Sequence, residues 1–349
     1  MDANQSTARW VLDRLRTCGI ENARLVNDSR RVRNGDVFVA YPGSRSDGRA
    51  FIGPAIAAGA AAVLWERTGF DWPAQWQVPT VATPDLREIA GDLAALAAGE
   101  PARQLLMIGV TGTNGKTSCS HWIAAALSAA GRRTAVVGTL GQGFAGALED
   151  SATTTPDALA LHALLARFRD EGAAAVAMEA SSHGLVQGRL SGARFDIALF
   201  TNLTRDHLDY HGDMERYGEA KARLFDWPEL EYAVINVDDA FGRRLVQRLA
   251  GRGTSVLTYG MTGGAIAGTR LDLHRFGLDL EIRTPWGEGV VRSRMFGAHN
   301  AANLLGVLGT LIAADVPFRQ ALDELTRLAP VEGRMEAMGG GDKRVVVVG

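Results

Sequence analysis

This chain of 349 residues has few cysteines and few lysines, and its net charge is close to zero. Its two cysteines, Cys18 and Cys119, are too few for a disulfide framework. A formal charge of −2 gives no general attraction to nucleic acid or to an anionic membrane. No segment has the ~18 consecutive apolar residues of a membrane-spanning helix, and the N-terminus carries charges too early for a secretory signal. We therefore expect a cytoplasmic monomer without nucleic-acid or membrane partners.

Only three of the 37 basic residues are lysine, namely Lys116, Lys221 and Lys343. All the others are arginine, a bias that is typical of codon composition and carries no function by itself. Lysine differs from arginine because it can lose its proton or be modified covalently. Lys116 and Lys221 both lie close to segments that are rich in ligand-capable residues.

Apolar segments that alternate with helical patterns dominate the chain after residue 100. This order is typical of a mostly parallel β-sheet covered by helices on both faces. Apolar–polar alternation over residues 269–295 predicts an added antiparallel portion. The predicted strands cover residues 105–110, 134–138, 173–178, 195–200 and 232–237. The predicted helices cover residues 117–130, 156–169 with Thr155 as N-cap, 214–225 and 300–314.

Three segments of different character divide this predicted α/β protein. Residues 1–99 contain short strand-like runs and an alanine-rich helix, which predict a small α/β domain. A Gly-Glu-Pro sequence at residues 99–101 then interrupts the pattern, so we predict a central domain over residues 100–335. Residues 336–349 resemble a connector followed by Val345–Val348, a valine run typical of the first buried strand of a further domain.

A glycine-rich segment, GVTGTNGKT at residues 109–117, lies between a predicted strand and a predicted helix. Backbone N–H groups of such a turn bind phosphate, the lysine reaches the terminal phosphates, and the next hydroxyl holds Mg²⁺. The pattern G-x-x-x-x-G-K-[ST] is met only as a variant, because Val110 stands where it has glycine. The segment predicts a nucleoside-triphosphate site, with ATP as the first choice. The residues expected to bind the nucleotide are Gly112, Thr113, Asn114, Gly115, Lys116, Thr117 and Ser118.

Acidic and histidine-rich segments follow two further predicted strands. Because the carboxyl ends of parallel strands share one edge, Glu179 would reach the phosphate loop and bind Mg²⁺ there. Taken alone, Glu179 could also cap a helix or be solvated. His207 and His211 have the i, i+4 spacing of a metal pair, but no cysteine is nearby and Gly212 breaks the turn. We favour His207 as a single ligand of a magnesium–phosphate site and leave His211 open between structural and ligand roles.

Lys221 lies in the predicted helix at residues 214–225. A solvated surface position is the ordinary expectation for such a lysine. If the side chain faces the ATP edge instead, burial lowers its pKa, and the neutral amine can react with CO₂. The product is a carbamate, which is a carboxylate-like metal ligand. The sequence alone leaves both positions open.

Several long motifs together resemble the Mur ligases of peptidoglycan synthesis. Those of the central region are GTNGKT at 112–117, MEASSHGLVQGR at 178–189, FTNLTRDHLDYHG at 200–212, Ala220-Lys221 and GAHNAAN at 297–303. The N-terminal motifs are NDSR at 27–30, GDVFVA at 35–40 and SDGRAFI at 46–52. Taken with DHLDYHG, these N-terminal motifs are similar to the MurE-type branch of the family. The resemblance runs from about residue 25 to the end of the chain.

The resemblance implies a role for each matching position. Lys116 would contact the β- and γ-phosphates, and Asn300 and Arg334 would lie at the nucleotide. Thr117 and Glu179 would hold one Mg²⁺, and His207 and a carbamylated Lys221 would hold a second. Lys116, Glu179, His207 and Lys221 would thus be the catalytic residues. The positions that would contact a UDP-linked acceptor are Asn27, Ser29, Ser44, Arg45, Ser46, Thr153, Thr154, Thr155, Ser181, Gln187 and Arg189.

The resemblance implies an ATP-dependent amide ligation, with the N-terminal domain binding the UDP moiety. The acceptor would be UDP-MurNAc-L-Ala-D-Glu, whose γ-carboxylate attacks the γ-phosphate to form an acyl phosphate. A diamino acid, by default meso-diaminopimelate, then displaces phosphate. Members of the family carry a C-terminal domain that begins near the end of this sequence. We therefore expect this chain to bind the acceptor and, weakly, ATP, and to ligate poorly or not at all.

Three alternatives stay open from the sequence. Another Mur ligase or a folylpolyglutamate-type synthetase shares the ATP motifs but not the N-terminal NDSR and SDGR motifs. A non-catalytic module that binds a nucleotide or UDP-sugar belongs to a different class. A P-loop kinase or GTPase is the poorest of the three, because the chain has no guanine-reading N-K-x-D sequence and no adequate lid sequence.

Overall fold

The structure is a computed structural model that describes residues 3–21, 23–43, 46–151, 153–331, 336–339 and 345–348. The helices are α1 (Ala3–Thr17), α2 (Ile52–Ala57), α3 (Leu86–Ala97), α4 (Lys116–Ala129), α5 (Ala158–Asp170), α6 (Ser182–Val186), α7 (Leu208–His211), α8 (Met214–Ala222), α9 (Ala240–Leu249), α10 (Ala298–Ala313) and α11 (Phe318–Arg327). Among the described residues, no helix is long and apolar enough to cross a membrane.

The strands of the N-terminal third are β1 (Leu25–Val26), β2 (Val37–Ala40), β3 (Ala62–Glu66) and β4 (Thr80–Thr83). The strands that follow are β5 (Leu106–Thr111), β6 (Thr134–Gly138), β7 (Gly141–Phe144), β8 (Ala147–Glu149), β9 (Ala175–Glu179), β10 (Ile197–Phe200), β11 (Tyr232–Asn236) and β12 (Ser255–Gly260). The last are β13 (Ile266–His274), β14 (Gly277–Thr284), β15 (Gly287–Ser293), β16 (Glu336–Gly339) and β17 (Val345–Val348).

The chain folds into two compact units. The N-terminal unit contains residues 1–104, 156–171 and 187–193, and the central unit contains residues 105–155, 172–186 and 194–349. The first break therefore lies between residues 104 and 105, five residues beyond the break predicted between residues 99 and 100. Helix α5 and the short segment at 187–193 group with the N-terminal unit, although both follow β5 in the chain. Sequence patterns do not reveal such a discontinuous unit, because the grouping depends on long-range packing.

The N-terminal unit contains a four-stranded parallel sheet in the order β1-β2-β3-β4. Both faces of its inner strands are buried, which explains why Val-Phe-Val-Ala at β2 is a continuous apolar run. Val37 and Val39 pack in one cluster with Leu93 of α3. Phe38 and Ala40 face an aromatic cluster on the other side. The sheet is thus covered on both sides.

The central unit contains an eleven-stranded sheet in the order β15-β14-β13-β12-β11-β10-β5-β9-β6-β7-β8. Strands β12, β11, β10, β5, β9 and β6 are parallel, while hairpins extend the sheet antiparallel at both ends. The prediction of a mostly parallel sheet with an antiparallel addition is confirmed. The hairpin β7–β8 and helices α9 and α11 were not predicted. Strands β7 and β8 are only four and three residues long. Helices α9 and α11 are strongly amphipathic, so the sequence carried a helical signal there that was missed.

The central strand β5 lies between β9 and β10, parallel to both. Val110 of β5 pairs with Glu179, and Thr111 pairs with Phe200. The segments that leave these three strands therefore meet at one edge of the sheet, where ligands bind in folds of this type. The phosphate loop, Glu179 and the segment after Phe200 are brought together in this way.

Three local expectations differ from the structure. Helix α5 begins at Ala158 and its N-cap is Asp157, whose carboxylate accepts from Ala160 N at 3.1 Å. Thr155, predicted as the cap, points its hydroxyl elsewhere. Helix α8 ends at Ala222 and continues as a 3₁₀ turn over Arg223–Asp226. At the end of the chain, β16 and β17 form an antiparallel pair, so part of the predicted connector is a strand.

Candidate active site

The phosphate loop connects β5 to α4, as predicted from the sequence. Gly112 and Gly115 have φ values of 153° and 84°, a region that side chains rarely adopt. A Cβ at Gly112 would overlap with Thr201 Oγ1, and one at Gly115 would lie 2.5 Å from Asn303 Oδ1. Glycine is therefore required at both positions. Val110 is fully buried inside β5 and belongs to the sheet, which explains why this position departs from the strict motif.

Two lysine amines converge on one carbonyl oxygen of the phosphate loop. Lys116 Nζ donates to Gly112 O at 2.9 Å and to Thr113 O at 2.9 Å. Lys221 Nζ donates to the same Gly112 O at 2.7 Å and lies 4.3 Å from the ring centroid of Tyr217. Lys221 is 1% exposed. Burial, and then the charge of Lys116, holds the pKa of Lys221 well below its ordinary value.

Lys221 thus faces the loop that was predicted to bind phosphate and is not a solvated surface lysine. Two amines within hydrogen-bond distance of one oxygen repel each other when both are protonated. An anion beside them removes that repulsion. Because burial and Lys116 disfavour the protonated form of Lys221, Lys116 is the cation of this pair, and it lies at the N-terminus of α4, where phosphate groups bind.

Glu179 is a buried carboxylate at the end of β9, with 1% of its surface exposed. Its Oε1 accepts from Thr139 N at 2.7 Å, and its Oε2 accepts from Thr139 Oγ1 at 3.2 Å. Its charge also helps burial to raise the pKa of the Cys119 thiol in α4. Among the described residues, no ion pair includes Glu179. A buried carboxylate without a cationic partner is costly, so this position favours a bound cation.

The segment at residues 201–204, which we call the strap, holds the phosphate loop from the β10 side. Thr201 Oγ1 donates to Asn114 O at 2.6 Å. The Asn202 amide accepts from Asn114 N at 3.0 Å and donates to Asn114 O at 3.1 Å. Thr204 N donates to Thr113 Oγ1 at 3.0 Å. Sequence reasoning singled out this segment as ligand-capable but missed its role in holding the loop.

The strap is itself held from β11 and α9. Asn236 Nδ2 donates to Thr201 O at 2.7 Å, and Asp239 Oδ2 accepts from Leu203 N at 2.8 Å. The other oxygen of Asp239 caps α9 by accepting from Phe241 N at 2.8 Å. A continuous polar network therefore connects the start of α9 to the phosphate loop.

Three imidazoles gather beside the strap. The ring of His183 lies 5.0 Å from that of His207 and 5.4 Å from that of His211. His211 is buried, bonds Ser182 Oγ at 3.0 Å through Nε2, and has a pKa that burial lowers. His207 is half-exposed and its ring lies 6.1 Å from that of Tyr217. Within the described part of the chain, no group of three His, Cys, Asp or Glu side chains is placed to hold a metal ion.

The remaining nucleotide positions are partly described. Thr117 and Ser118 are buried in the first turn of α4. Asn300 is the third residue of α10, and its amide donates to Phe296 O at 2.9 Å and accepts from Asn303 Nδ2 at 3.2 Å. Arg334 lies outside the described residues. Asn303, which packs against Gly115, was missed by sequence reasoning.

The predicted acceptor residues of the central unit lie next to Glu179. Thr155 Oγ1 donates to Glu179 O at 2.8 Å and lies 2.9 Å from Ser181 Oγ. Thr154 Oγ1 lies 3.1 Å from Thr139 Oγ1, and Thr153 Oγ1 donates to Thr155 O at 3.0 Å. Thr155 is fully buried. The Thr155 hydroxyl therefore bonds other groups of the protein, while Thr154 is partly exposed.

The N-terminal unit contains a cavity of about 500 Å³. Asn27, Ser29 and Ser46, predicted to contact the acceptor, line it. Tyr41 shares this cavity and bonds the Asn27 side chain, while burial raises the pKa of its phenol. The other lining residues are Asp28, Arg30, Val39, Gly43, Gly48 and Phe51. Ser44 and Arg45 lie outside the described residues.

Gln187 and Arg189, the last two predicted acceptor residues, begin the short segment of the N-terminal unit at 187–193. Arg189 Nε donates to Gln187 Oε1 at 2.9 Å. His162 of α5 bonds Ser191 O at 3.0 Å through Nε2 and holds this segment on α5. His162 is fully buried, and burial lowers its pKa to about 4.

Family models match most of the chain. Residues 24–97 match the family described as Mur ligase family, catalytic domain, and residues 110–311 match the Mur ligase middle domain. The protein of Chromobacterium violaceum called UDP-N-acetylmuramoyl-L-alanyl-D-glutamate--2,6-diaminopimelate ligase is 49% identical over 340 residues, which cover 97% of this chain and 69% of that protein. The protein of the same name from Ralstonia nicotianae is 51% identical over 352 residues, covering 97% and 68%.

A solved structure described by the same name is similar to the chain with a TM-score of 0.80. The two sequences are 34% identical, and the match covers 94% of this chain and 66% of that one. The chain thus spans about two thirds of the length of the proteins it resembles.

Proposed function

The chain belongs to the Mur ligase family, and from this premise we propose that it binds ATP and a UDP-linked acceptor for amide ligation. The relatives that match nearly all of this chain are named for UDP-N-acetylmuramoyl-L-alanyl-D-glutamate and 2,6-diaminopimelate. We assign the same acceptor and amino acid to the reaction in which this chain takes part. A folylpolyglutamate-type function is disfavoured, because the match includes the N-terminal unit.

The convergence of Lys116 and Lys221 on the phosphate loop carries this proposal. Both amines donate to Gly112 O, and Glu179 ends the adjacent parallel strand. The edge therefore has Lys116 as a cation for phosphate groups and Glu179 as a carboxylate for a metal ion.

The donor set of this edge fits magnesium. Mg²⁺ is commonly bound through one or two carboxylates together with substrate phosphates, so a three-ligand protein cluster is not required. Glu179 is a buried carboxylate without a cationic partner, and the Thr117 hydroxyl lies in the first turn of α4. We assign these two residues to one magnesium ion. When bound, the metal would neutralise charge on the phosphate oxygens.

Phosphoryl transfer to a carboxylate requires two anions to approach each other, so charge neutralisation and alignment are the main tasks. Lys116 begins α4, from which its ammonium can reach the terminal phosphates. Gly112 and Gly115 allow the backbone to come close to the nucleotide. The strap holds Thr113 and Asn114 in place before ligand binds. The γ-carboxylate of the acceptor then attacks the γ-phosphate of ATP and releases ADP, and the amine of the diamino acid displaces phosphate from the resulting acyl phosphate to form the amide.

We assign a carbamate to Lys221 and, with His207, a second magnesium ion. Burial and the neighbouring Lys116 favour the neutral amine of Lys221, which is the form that reacts with CO₂. Carbon-13 NMR of the chain in labelled bicarbonate should show a carbamate signal. The signal should be absent from Lys221→Arg, which keeps the cation but cannot form the adduct. An equal signal in both proteins would contradict the assignment.

Calorimetry with the 349-residue chain tests the acceptor. We expect UDP-MurNAc-L-Ala-D-Glu to bind more tightly than UDP-MurNAc-L-Ala, because only the former carries the reacting carboxylate. Ser29→Ala, in the cavity of the N-terminal unit, should weaken binding by about 5-fold, the cost of one hydrogen bond. Ser255→Ala is the matched control, because Ser255 is exposed at the start of β12.

Two results would contradict the acceptor assignment. One is folded chain that binds neither UDP compound. The other is equal affinity for the two compounds, together with an unchanged affinity in Ser29→Ala. Binding of MgATP by the same preparation shows that the central unit is folded and able to bind nucleotide.

A further inference from the structure

Thr139 connects the two oxygens of Glu179 to strand β6. It lies at the sheet edge where the phosphate loop and Glu179 meet, which we call the phosphate edge. It follows Gly138, the last residue of β6, and β6 pairs parallel with β9. Its backbone N–H and its hydroxyl each donate to one oxygen of the Glu179 carboxylate. Both carboxylate oxygens are thus fixed by one residue, which leaves the remaining lone pairs of the carboxylate for a metal ion.

Gly138 makes this close approach possible. A Cβ at Gly138 would overlap with Glu179 Oε1. The carboxylate therefore lies directly over the backbone at the end of β6, and no other residue type leaves room for it. This position is independent of the phosphate loop, which meets β9 from the β5 side.

The hydroxyl contacts around Thr139 have a single consistent direction. A carboxylate only accepts, so the Thr139 proton goes to Glu179 Oε2, and Thr139 Oγ1 must accept the proton of Thr154. On the other side, the Thr155 hydroxyl donates to Glu179 O. Thr154 and Thr155 therefore reach the side chain and the backbone of Glu179 by separate routes.

We propose that Thr139 is a positioning residue that fixes the Glu179 carboxylate for magnesium and couples it to the acceptor-binding threonines. The proposal rests on the proposed function, because it takes magnesium at Glu179 and the acceptor at Thr154 as given. Hydrogen bonds to a metal-binding carboxylate orient it, and their loss typically lowers metal affinity 10- to 100-fold. Coupling of this kind is reciprocal, so acceptor binding should strengthen metal binding by the factor with which metal strengthens acceptor binding.

The test uses ADP with Mn²⁺ as a spectroscopic substitute for Mg²⁺. Thr139→Val removes the hydroxyl with little change of shape, and Thr139→Ser restores it. Electron paramagnetic resonance gives the Mn²⁺ affinity of the chain with ADP, and calorimetry gives the affinity for metal-free ADP. We expect Thr139→Val to lower Mn²⁺ affinity about 10-fold with metal-free ADP affinity unchanged, and Thr139→Ser to restore most of the loss.

Gly138→Ala provides a second route to the same carboxylate. The added methyl group should displace Glu179 and lower Mn²⁺ affinity at least as much as Thr139→Val. Gly263→Ala is its control, since a Cβ there meets no atom within 4 Å and the backbone is not in the left-handed region. Denaturant unfolding of each variant identifies any general loss of folding. If Gly138→Ala does not fold, Thr139→Val still tests the proposal by itself.

A double-mutant cycle measures the coupling to the acceptor. Thr154→Val and Thr139→Val should each reduce the factor by which UDP-MurNAc-L-Ala-D-Glu raises Mn²⁺ affinity, and the double variant should lose no more than Thr139→Val. Full Mn²⁺ affinity in Thr139→Val, or additive losses in the cycle, would overturn the role of Thr139. Wild-type chain that binds ADP equally with and without Mn²⁺ would instead refute the proposed function.

Discussion

The cavity of the N-terminal unit and the phosphate edge of the central unit are both polar, but their polar groups are used differently. In the cavity, Ser29 and Ser46 line a concave surface of about 500 Å³. At the phosphate edge, Lys221 and Glu179 are buried and already bonded to the protein. In the first region we expect the hydroxyls of Ser29 and Ser46 to gain hydrogen bonds from a ligand, while Asp28 and Arg30 are already paired. The second holds its polar groups in position before a ligand binds.

This difference predicts different costs of mutation. A polar residue of the cavity should affect binding of its ligand and leave folding almost unchanged. A polar residue at the phosphate edge should affect both, because removing one partner leaves a buried group without its bond. Preorganisation of this kind favours electrostatic catalysis, at some cost in stability.

The largest expected effect concerns His162, a fully buried titratable group of the N-terminal unit. Its folded pKa is about 4, against 6.5 for an exposed histidine, because a protonated Nδ1 would be buried without an acceptor. The unfolded chain therefore takes up a proton as pH falls below 6.5, whereas the folded chain does not until about pH 4. Stability is complete above pH 6.5 and should fall by about 3 kcal/mol between pH 6.5 and 4. Denaturant unfolding across this range measures it.

His162→Gln provides the comparison for that pH dependence, since its amide can still donate to Ser191 O but does not titrate. The difference in stability between the two proteins should change by about 3 kcal/mol between pH 6.5 and 4 and stay constant below about pH 4, where His162 is protonated in both states. Identical pH profiles of stability for the two proteins would show that folding does not lower the pKa of His162.

The next effect concerns Lys116. Lys116→Ala should lower the affinity for MgATP about 10- to 100-fold, because a charged hydrogen bond to phosphate contributes about 1.5–3 kcal/mol. Arg319→Ala is the control, since it removes an exposed cation of α11. Calorimetry should show an unchanged MgATP affinity in the control. Equal losses in both variants would indicate a general charge effect and not a phosphate contact.

Asp239 and Asp157 offer a matched pair of helix N-caps. Each caps a helix, α9 or α5, so substitution by alanine should cost about 1 kcal/mol of stability in either case. Only Asp239 also holds the strap through Leu203 N. Asp239→Ala should therefore weaken ADP binding several-fold more than Asp157→Ala, as measured by calorimetry. Equal ADP affinities in the two variants would show that the strap does not depend on Asp239.

The smallest effect concerns Tyr41 in the cavity. Tyr41→Phe removes the hydroxyl that bonds Asn27 and should weaken binding of the UDP-linked acceptor by about 1 kcal/mol. The midpoint of thermal unfolding should hardly change. Tyr232→Phe, on β11, serves as the control and should leave acceptor affinity unchanged. If Tyr41→Phe changed the stability of the chain more than its affinity for the acceptor, the cavity would not differ from the phosphate edge in the way stated above.

The sequence was sufficient wherever a local pattern determines the outcome. The alternation of strands and helices predicted the parallel sheet, and the position of Glu179 at a strand end predicted its place beside the phosphate loop. The sequence could not decide whether Lys221 is solvated or faces the phosphate loop, because the pattern of a helix does not reveal which of its faces meets a distant loop. Its amine and Gly112 O are 109 residues apart in the chain.

The contacts that sequence reasoning missed are all long-range contacts of small polar side chains. Thr139 lies 40 residues from Glu179, and Asn202 lies 88 residues from Asn114. Threonine and asparagine are common at turns and strand ends, so their presence carries no signal until the sheet order is known. The discontinuous N-terminal unit was missed for the same reason.

The carbonyl oxygen of Gly112 is an internal competitor for any nucleotide. It occupies a donor of Lys116, so a phosphate oxygen that takes its place exchanges one hydrogen bond for another. The number of bonds then changes little on binding, and the free energy of binding comes mainly from pairing a charged oxygen with the Lys116 ammonium. Nucleotide affinity should accordingly respond to ionic strength more strongly than a count of hydrogen bonds suggests.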